Sequence, residues 1–203
     1  MKIVIVDYGM GNLRSITGAL HFLGYPNVLV SSEKETILSA DRLILPGVGN
    51  FGTAISNIRN LEVDLVLQAS AFQRNTPILG ICLGMQLLGC SSTESGYNEG
   101  LSFFNGSVDF FNDINLPVPH VGFNQVACQP EMRLFHGIEN NSDFYFTHSY
   151  KMTCAGERFV STCDYGGEFI CGFEKNNIAG VQFHPELSQK NGLTLLKNFV
   201  ELF

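Results

Sequence analysis

Four short apolar runs rich in β-branched residues constrain this chain more than any other feature: 3–6, 28–30, 43–45 and 77–81. None of them alternates apolar with polar. A strand without alternation has both faces covered, the condition of a parallel sheet packed between helices. The segments between the runs carry helical spacing. Leu13, Ile16, Leu20 and Leu23 recur on one side, with Asn12 expected as N-cap and Gly24 as the stop. Pro46 halts the third run, and a helix is expected after Gly52 with Ala54, Ile55 and Ile58 apolar. Another is expected over 63–72, and Leu83 to Leu88 opens a helix directly after the fourth run. Strands alternating with helices over the first 90 residues predict an α/β fold, a mostly parallel central sheet flanked by helices.

The second half changes character. Runs at 103–111, 122–128, 144–150, 158–163, 169–173 and 180–183 are short and aromatic, separated by Gly, Asn, Pro and Asp. They predict added antiparallel strands joined by hairpins, beside or extending the parallel sheet. Residues 192–203 predict an amphipathic helix with Leu193, Leu196, Val200 and Phe203 on one side. Neither a repeat nor a linker interrupts the chain, and 203 residues are expected to form one domain, 1–203. Twelve basic against 19 acidic residues give a net charge of −7, which lacks the basic footprint of a nucleic-acid binder. The opening run is too short for a signal h-region and is broken by Asp7, and no apolar run nears the roughly 18 residues of a membrane span. Six cysteines, none in a C-x-x-C pair, then read as reduced thiols of a cytoplasmic protein with no metal and no cofactor. Charged residues make up only 15%, below the roughly 25% of an average chain, which hints at a surface partly covered by a partner.

Three segments can carry chemistry. In 80–84, Cys82 stands between a strand end and a helix start, with Gly80 and Gly84 two residues to either side. Small flanking residues permit the sharp turn that exposes a nucleophile and aims the Leu83 N–H and the helix N-terminus at the same spot. The same spacing also suits a buried structural cysteine. A thiol nucleophile needs a base. Of five histidines, His21 lies off the apolar face of the first helix, His136 lies in a turn, and His120 follows Pro119 at a strand start. His148 lies in the run 144–150. His184 ends an apolar strand and is followed by Pro185 and Glu186, so the carboxylate can turn back to orient the imidazole, unless it is merely solvated. In 46–52, three glycines just past a strand bring backbone N–H groups close to a ligand or form only a tight turn. The Gly9-x-Gly11 pair is no dinucleotide fingerprint, because Arg14 occupies the third glycine position.

Taken together, the segments 46–52, 80–86 and 180–186 resemble the three signature segments of the class I (triad) glutamine amidotransferases. The likeness runs the full length and is nearest to the glutaminase subunits of imidazole glycerol phosphate synthases, which supply ammonia in histidine biosynthesis. It includes 7–12, 144–150 and 192–199. The resemblance implies a triad of Cys82, His184 and Glu186. It implies an oxyanion hole at Leu83 and in Gly47, Val48 and Gly49, and glutamine held near Gln86, Glu94, Ser149 and Tyr150. It further implies a cyclase-type (β/α)8-barrel synthase subunit as partner.

Two positions depart from that pattern: Leu187 stands where a lysine is usual, and Phe123 where a tryptophan is usual. Both belong to the face that the resemblance assigns to the partner. A paralogue feeding ammonia to nucleotide-sugar amidation in surface polysaccharide synthesis is therefore the nearest alternative reading. A stand-alone cysteine hydrolase and a catalytically silent regulatory protein are more distant ones.

Overall fold

The computed structural model describes residues 1–112, 115–154 and 156–203. The first half contains β1 (Ile3–Val6), α1 (Leu13–Phe22), β2 (Val28–Ser31), α2 (Lys34–Leu38), β3 (Arg42–Leu45), α3 (Phe51–Asn60), α4 (Val63–Gln68), β4 (Ile78–Ile81) and α5 (Leu83–Leu87). Short strands β5 (Ser91–Ser92), β6 (Asn98–Glu99) and β7 (Gly106–Phe110) follow. The remainder contains β8 (His120–Val126), β9 (Ser142–His148), β10 (Tyr150–Cys154), β11 (Val160–Asp164), β12 (Glu168–Lys175), β13 (Ile178–Val181) and α6 (Gln189–Leu202).

One sheet runs β2-β1-β3-β4-β13-β12-β10-β7-β5-β6, with β11 pairing β12. From β2 to β13 all neighbours are parallel. From β13 outward the sheet turns antiparallel through β12, β10 and β7. This is the α/β class that the apolar runs predict. Strand β1 shows why those runs do not alternate. Ile3 and Ile5 pack on one face with Ile16 and Leu20 of α1 and with α6. Val4 and Val6 pack on the other with residues of α2 through α5.

The second-half strands divide between the two dispositions expected: β7, β10, β11 and β12 extend the large sheet, while β8 and β9 pair only with each other beside it. Along β8, exposed and half-buried residues alternate between its buried ends, a pattern suited to a one-sided surface hairpin. The run 144–150 is accordingly two strands: β9 ends at His148, and β10 enters the large sheet at Tyr150. The helix expected over 63–72 ends at Gln68 and widens into a π turn, Ala69–Gln73. There Arg74 N–H reaches back to Ala69 O, and the buried Asn177 side chain donates to Ala71 O and Thr76 O. Helix α6 is longer than expected and buries Leu195 and Phe199 with Leu196 and Val200, while Leu193 and Phe203 are only half-buried. Gly192 sets that face: a Cβ there would lie 1.8 Å from Pro185 O. Asn12 precedes α1 but makes no side-chain cap bond, whereas Asn50 caps α3 through Thr53 N–H at 3.0 Å.

Candidate active site

Register decides which residues meet. Leu45 pairs with Gly80, Gly80 with Gly180, and Ile81 with Val181. The segments that follow β1, β3, β4 and β13 therefore emerge at one carboxyl edge, where open parallel sheets bind ligands. Cys82 stands on that edge with φ 54° and ψ −111°, a left-handed backbone that costs a non-glycine residue about 1–3 kcal/mol. Surrounding packing enforces it. A Cβ at Gly84 would lie 1.8 Å from Leu45 O, and one at Gly80 would lie 2.7 Å from Gly84 O. Only glycine at both positions lets α5 lie this close over β3 and β4. The Cys82 sulfur meets Gln182 Nε2 at 3.6 Å and Thr147 O at 4.0 Å.

His184 follows β13 by three residues. Its N–H donates to Tyr145 O at 2.8 Å, and its carbonyl accepts from Ser188 Oγ at 2.6 Å. Pro185 opens a 3-10 turn, Pro185–Leu187, which carries Glu186 back to the ring. His184 Nδ1 and Glu186 Oε1 are 2.9 Å apart, with both side chains buried. A carboxylate only accepts, so Nδ1 carries a proton. Nε2 is buried without a hydrogen-bond partner among the described residues, as is Glu186 Oε2. Burial alone would lower the His184 pKa. The Cys82 sulfur, close but short of hydrogen-bond geometry, and the Glu186 carboxylate outweigh it and hold the pKa up at about 10.

No other histidine offers this. His21 and His136 are exposed. His148 Nδ1 lies 2.7 Å from Tyr150 O, an acceptor, so it carries the proton. Its Nε2 then accepts from His120 Nδ1 at 3.0 Å. Burial pushes the two rings down to about 3 and about 4, so both are neutral at physiological pH. His120 does start β8, but it is buried, stacked between Phe146 and Tyr165.

The loop 46–52 is braced from below. Tyr8 Oη donates to Pro46 O at 2.6 Å, and a Cβ on Gly47 would meet that Oη at 2.6 Å and Gly84 N at 2.8 Å. Burial first, and the Cys82 charge second, raise the Tyr8 pKa well above its usual value, so its hydroxyl stays a donor. Gly49 has φ +105°, and no backbone hydrogen bond engages the N–H of Val48, Gly49 or Leu83 among the described residues. Cys82 shares a cavity of about 440 Å³ with Val48, Gly49, Leu83, Gln86, Glu94, Ser149 and Tyr150. Gly47, His184 and Glu186 lie outside its lining. Glu94 Oε2 accepts from Phe51 N–H, the first of α3, at 2.7 Å.

Sequence reasoning gave no role to Tyr8, Thr147 or Gln182. Gln182 left one usable signal, a carboxamide inside the otherwise apolar run 180–183. Tyr8 and Thr147 left none, since each acts through a contact distant in sequence.

A family model described as glutamine amidotransferase class-I matches residues 4–202. The chain is 44% identical over 202 residues to the imidazole glycerol phosphate synthase subunit HisH 2 of Vibrio vulnificus, covering 99% of this chain and 94% of that protein. It is 47% identical over 203 residues to subunit HisH 1 of Methanococcus maripaludis, covering 98% and 99%. A solved structure titled as a glutamine amidotransferase superposes with a TM-score of 0.76 at 19% identity, over 98% of this chain and 97% of that one, a likeness of fold.

Proposed function

The chain belongs to the class I glutamine amidotransferases, and on that premise we propose that it is the glutaminase subunit of an imidazole glycerol phosphate synthase. In this reading residues 1–203 form one glutaminase domain, which works in the cytoplasm beside a cyclase-type (β/α)8-barrel subunit. The observation that carries it is the pairing of Ile81 with Val181, which brings a thiol on a strained elbow beside a strand end bearing a carboxylate-bound imidazole. The supporting relatives named as subunits of that synthase match nearly end to end.

The chemistry follows from the donors available. Cys82, as thiolate beside protonated His184, attacks the carboxamide carbon of glutamine. Negative charge passes to the amide oxygen, which meets the N–H groups of Leu83 and of the 47–49 loop. His184 gives its Nε2 proton to the leaving ammonia, and a γ-glutamyl thioester remains. Water, deprotonated by the same Nε2, then attacks the thioester, releases glutamate and restores the thiolate beside the protonated imidazole. Glu186 keeps the Nδ1 proton in place, so Nε2 is the nitrogen that exchanges. Gln86, Ser149 and Tyr150 line the space for the substrate, and Glu94, with Oε2 on the Phe51 N–H, turns Oε1 to an α-ammonium group.

The test combines two measurements. Cys82→Ala should abolish ammonia release from glutamine. The same variant, mixed with the barrel subunit, should still yield product when ammonium salt replaces glutamine. Residual glutamine hydrolysis would remove Cys82 from the mechanism, and failure of ammonium rescue would remove the division of labour between subunits. Leu187, 42% exposed where the family usually has a lysine, favours the second reading, a paralogue serving nucleotide-sugar amidation. Product formed with a nucleotide-sugar acceptor and none with the imidazole precursor would select it.

A further inference from the structure

We propose that Gln182 is a further catalytic residue of this site: its side-chain amide donates a hydrogen bond to the Cys82 sulfur and favours the thiolate, with Gln86 holding that amide in the donating orientation. This rests on the reading of Cys82 as nucleophile. Beyond the register pair Ile81 and Val181, Cys82 N–H donates to Val181 O at 2.8 Å, so the next residues of the two strands, Cys82 and Gln182, are neighbours.

Gln182 is fully buried, and a buried carboxamide without partners costs free energy. Both of its ends are engaged, and their order follows by elimination. Tyr150 O can only accept, so the Gln86 atom 3.1 Å away is Nε2. That same Nε2 lies 2.9 Å from the Gln182 side chain, which must present its oxygen there. The atom Gln182 turns to Cys82, 3.6 Å from the sulfur, is therefore Nε2. An N–H aimed at sulfur stabilises S⁻ more than S–H. The opposing contact, Thr147 O at 4.0 Å, accepts from S–H and favours the neutral thiol. Gln182 acts from the strand side, adding to the effect of the His184 imidazolium and opposite to that of the Thr147 carbonyl.

The experiment is the rate of Cys82 alkylation by iodoacetamide as a function of pH, read on the Cys82 peptide by mass spectrometry. Gln182→Met keeps the volume and removes the donor. At pH 7 its alkylation should be about tenfold slower than wild type, the loss of one hydrogen bond to a charged group. At pH 10, above the roughly 8.5 of an ordinary free thiol, the two rates should converge. A structural defect would not restore itself with pH. Gln86→Met leaves Gln182 in place but frees it to flip, and should slow alkylation at pH 7 by a smaller factor. It also carries the test if Gln182→Met does not fold. Profiles that superpose on wild type in either folded variant overturn the proposal. Glutamine hydrolysis that survives Cys82→Ala would overturn the nucleophile assignment instead, and the two failures are thereby told apart.

Discussion

Cys82 holds a backbone conformation that suits glycine, and that strain is separable from its chemistry. Cys82→Ala and Cys82→Gly both remove the thiol, but only glycine relaxes at φ 54°. The glycine variant should be more stable than the alanine variant by about 1 kcal/mol, or about 2–4 °C in melting temperature, measured by calorimetry. Equal melting points would mean that the elbow stores no strain. His184 makes a second residue-scale prediction. Its folded pKa is about 10 against an unfolded value of 6.5. Between those values the folded state keeps a proton that the unfolded state has released. The stabilisation is complete below pH 6.5 and is lost as pH rises through 10. Cys82→Ala removes the sulfur that helps raise the imidazole, so its melting temperature should fall less between pH 7 and pH 10 than that of wild type. Parallel curves would argue against a thiolate–imidazolium pair.

At the scale of elements, glycines decide how closely strands and helices approach. Gly192 brings α6 against the 3-10 turn that carries Glu186, with no space for a Cβ beside Pro185 O. Gly192→Ala should cost about 3 kcal/mol or more and lower glutamine hydrolysis as well, because Glu186 moves with its turn. Gly18, inside α1, has no atom within 4 Å of an added Cβ and no positive φ. Gly18→Ala should therefore stabilise the protein by about 0.5–1 kcal/mol without touching activity. Two glycine-to-alanine changes of opposite sign, read by thermal melts and ammonia release, test whether close packing or propensity governs each position. Helix boundaries were less legible than helix existence. The π turn after α4 depends on the Asn177 amide, more than a hundred residues away in the chain, and nothing within 63–72 announces it.

For the whole molecule, the hairpin of β8 and β9 leaves Val121 56% and Phe123 50% exposed, and Leu187 stands exposed on the turn behind His184. The Phe123 ring packs edge-on against Tyr145, whose carbonyl holds the His184 N–H. An aromatic side chain that is both exposed and braced is a suitable anchor for a partner. Phe123→Ala should weaken binding of the proposed synthase partner by about 1–2 kcal/mol in titration calorimetry. Unchanged affinity would put the docking face elsewhere.

The parallel half of the fold was readable because unbroken apolar runs have one stable disposition, buried on both faces between helices. The Cys82 elbow and the His184-Pro185-Glu186 segment were readable because their chemistry depends on neighbours two residues away. What lies across strands was not. That β8 and β9 stand apart from the large sheet, that His148 spends both ring nitrogens on Tyr150 and His120, and that Gln182 turns its amide to the sulfur are settled by register and packing. Local sequence specifies which groups a strand end can offer. Only the alignment of one strand with the next specifies which of those groups come within hydrogen-bond reach, because a single-residue slip would turn each side chain to the opposite face.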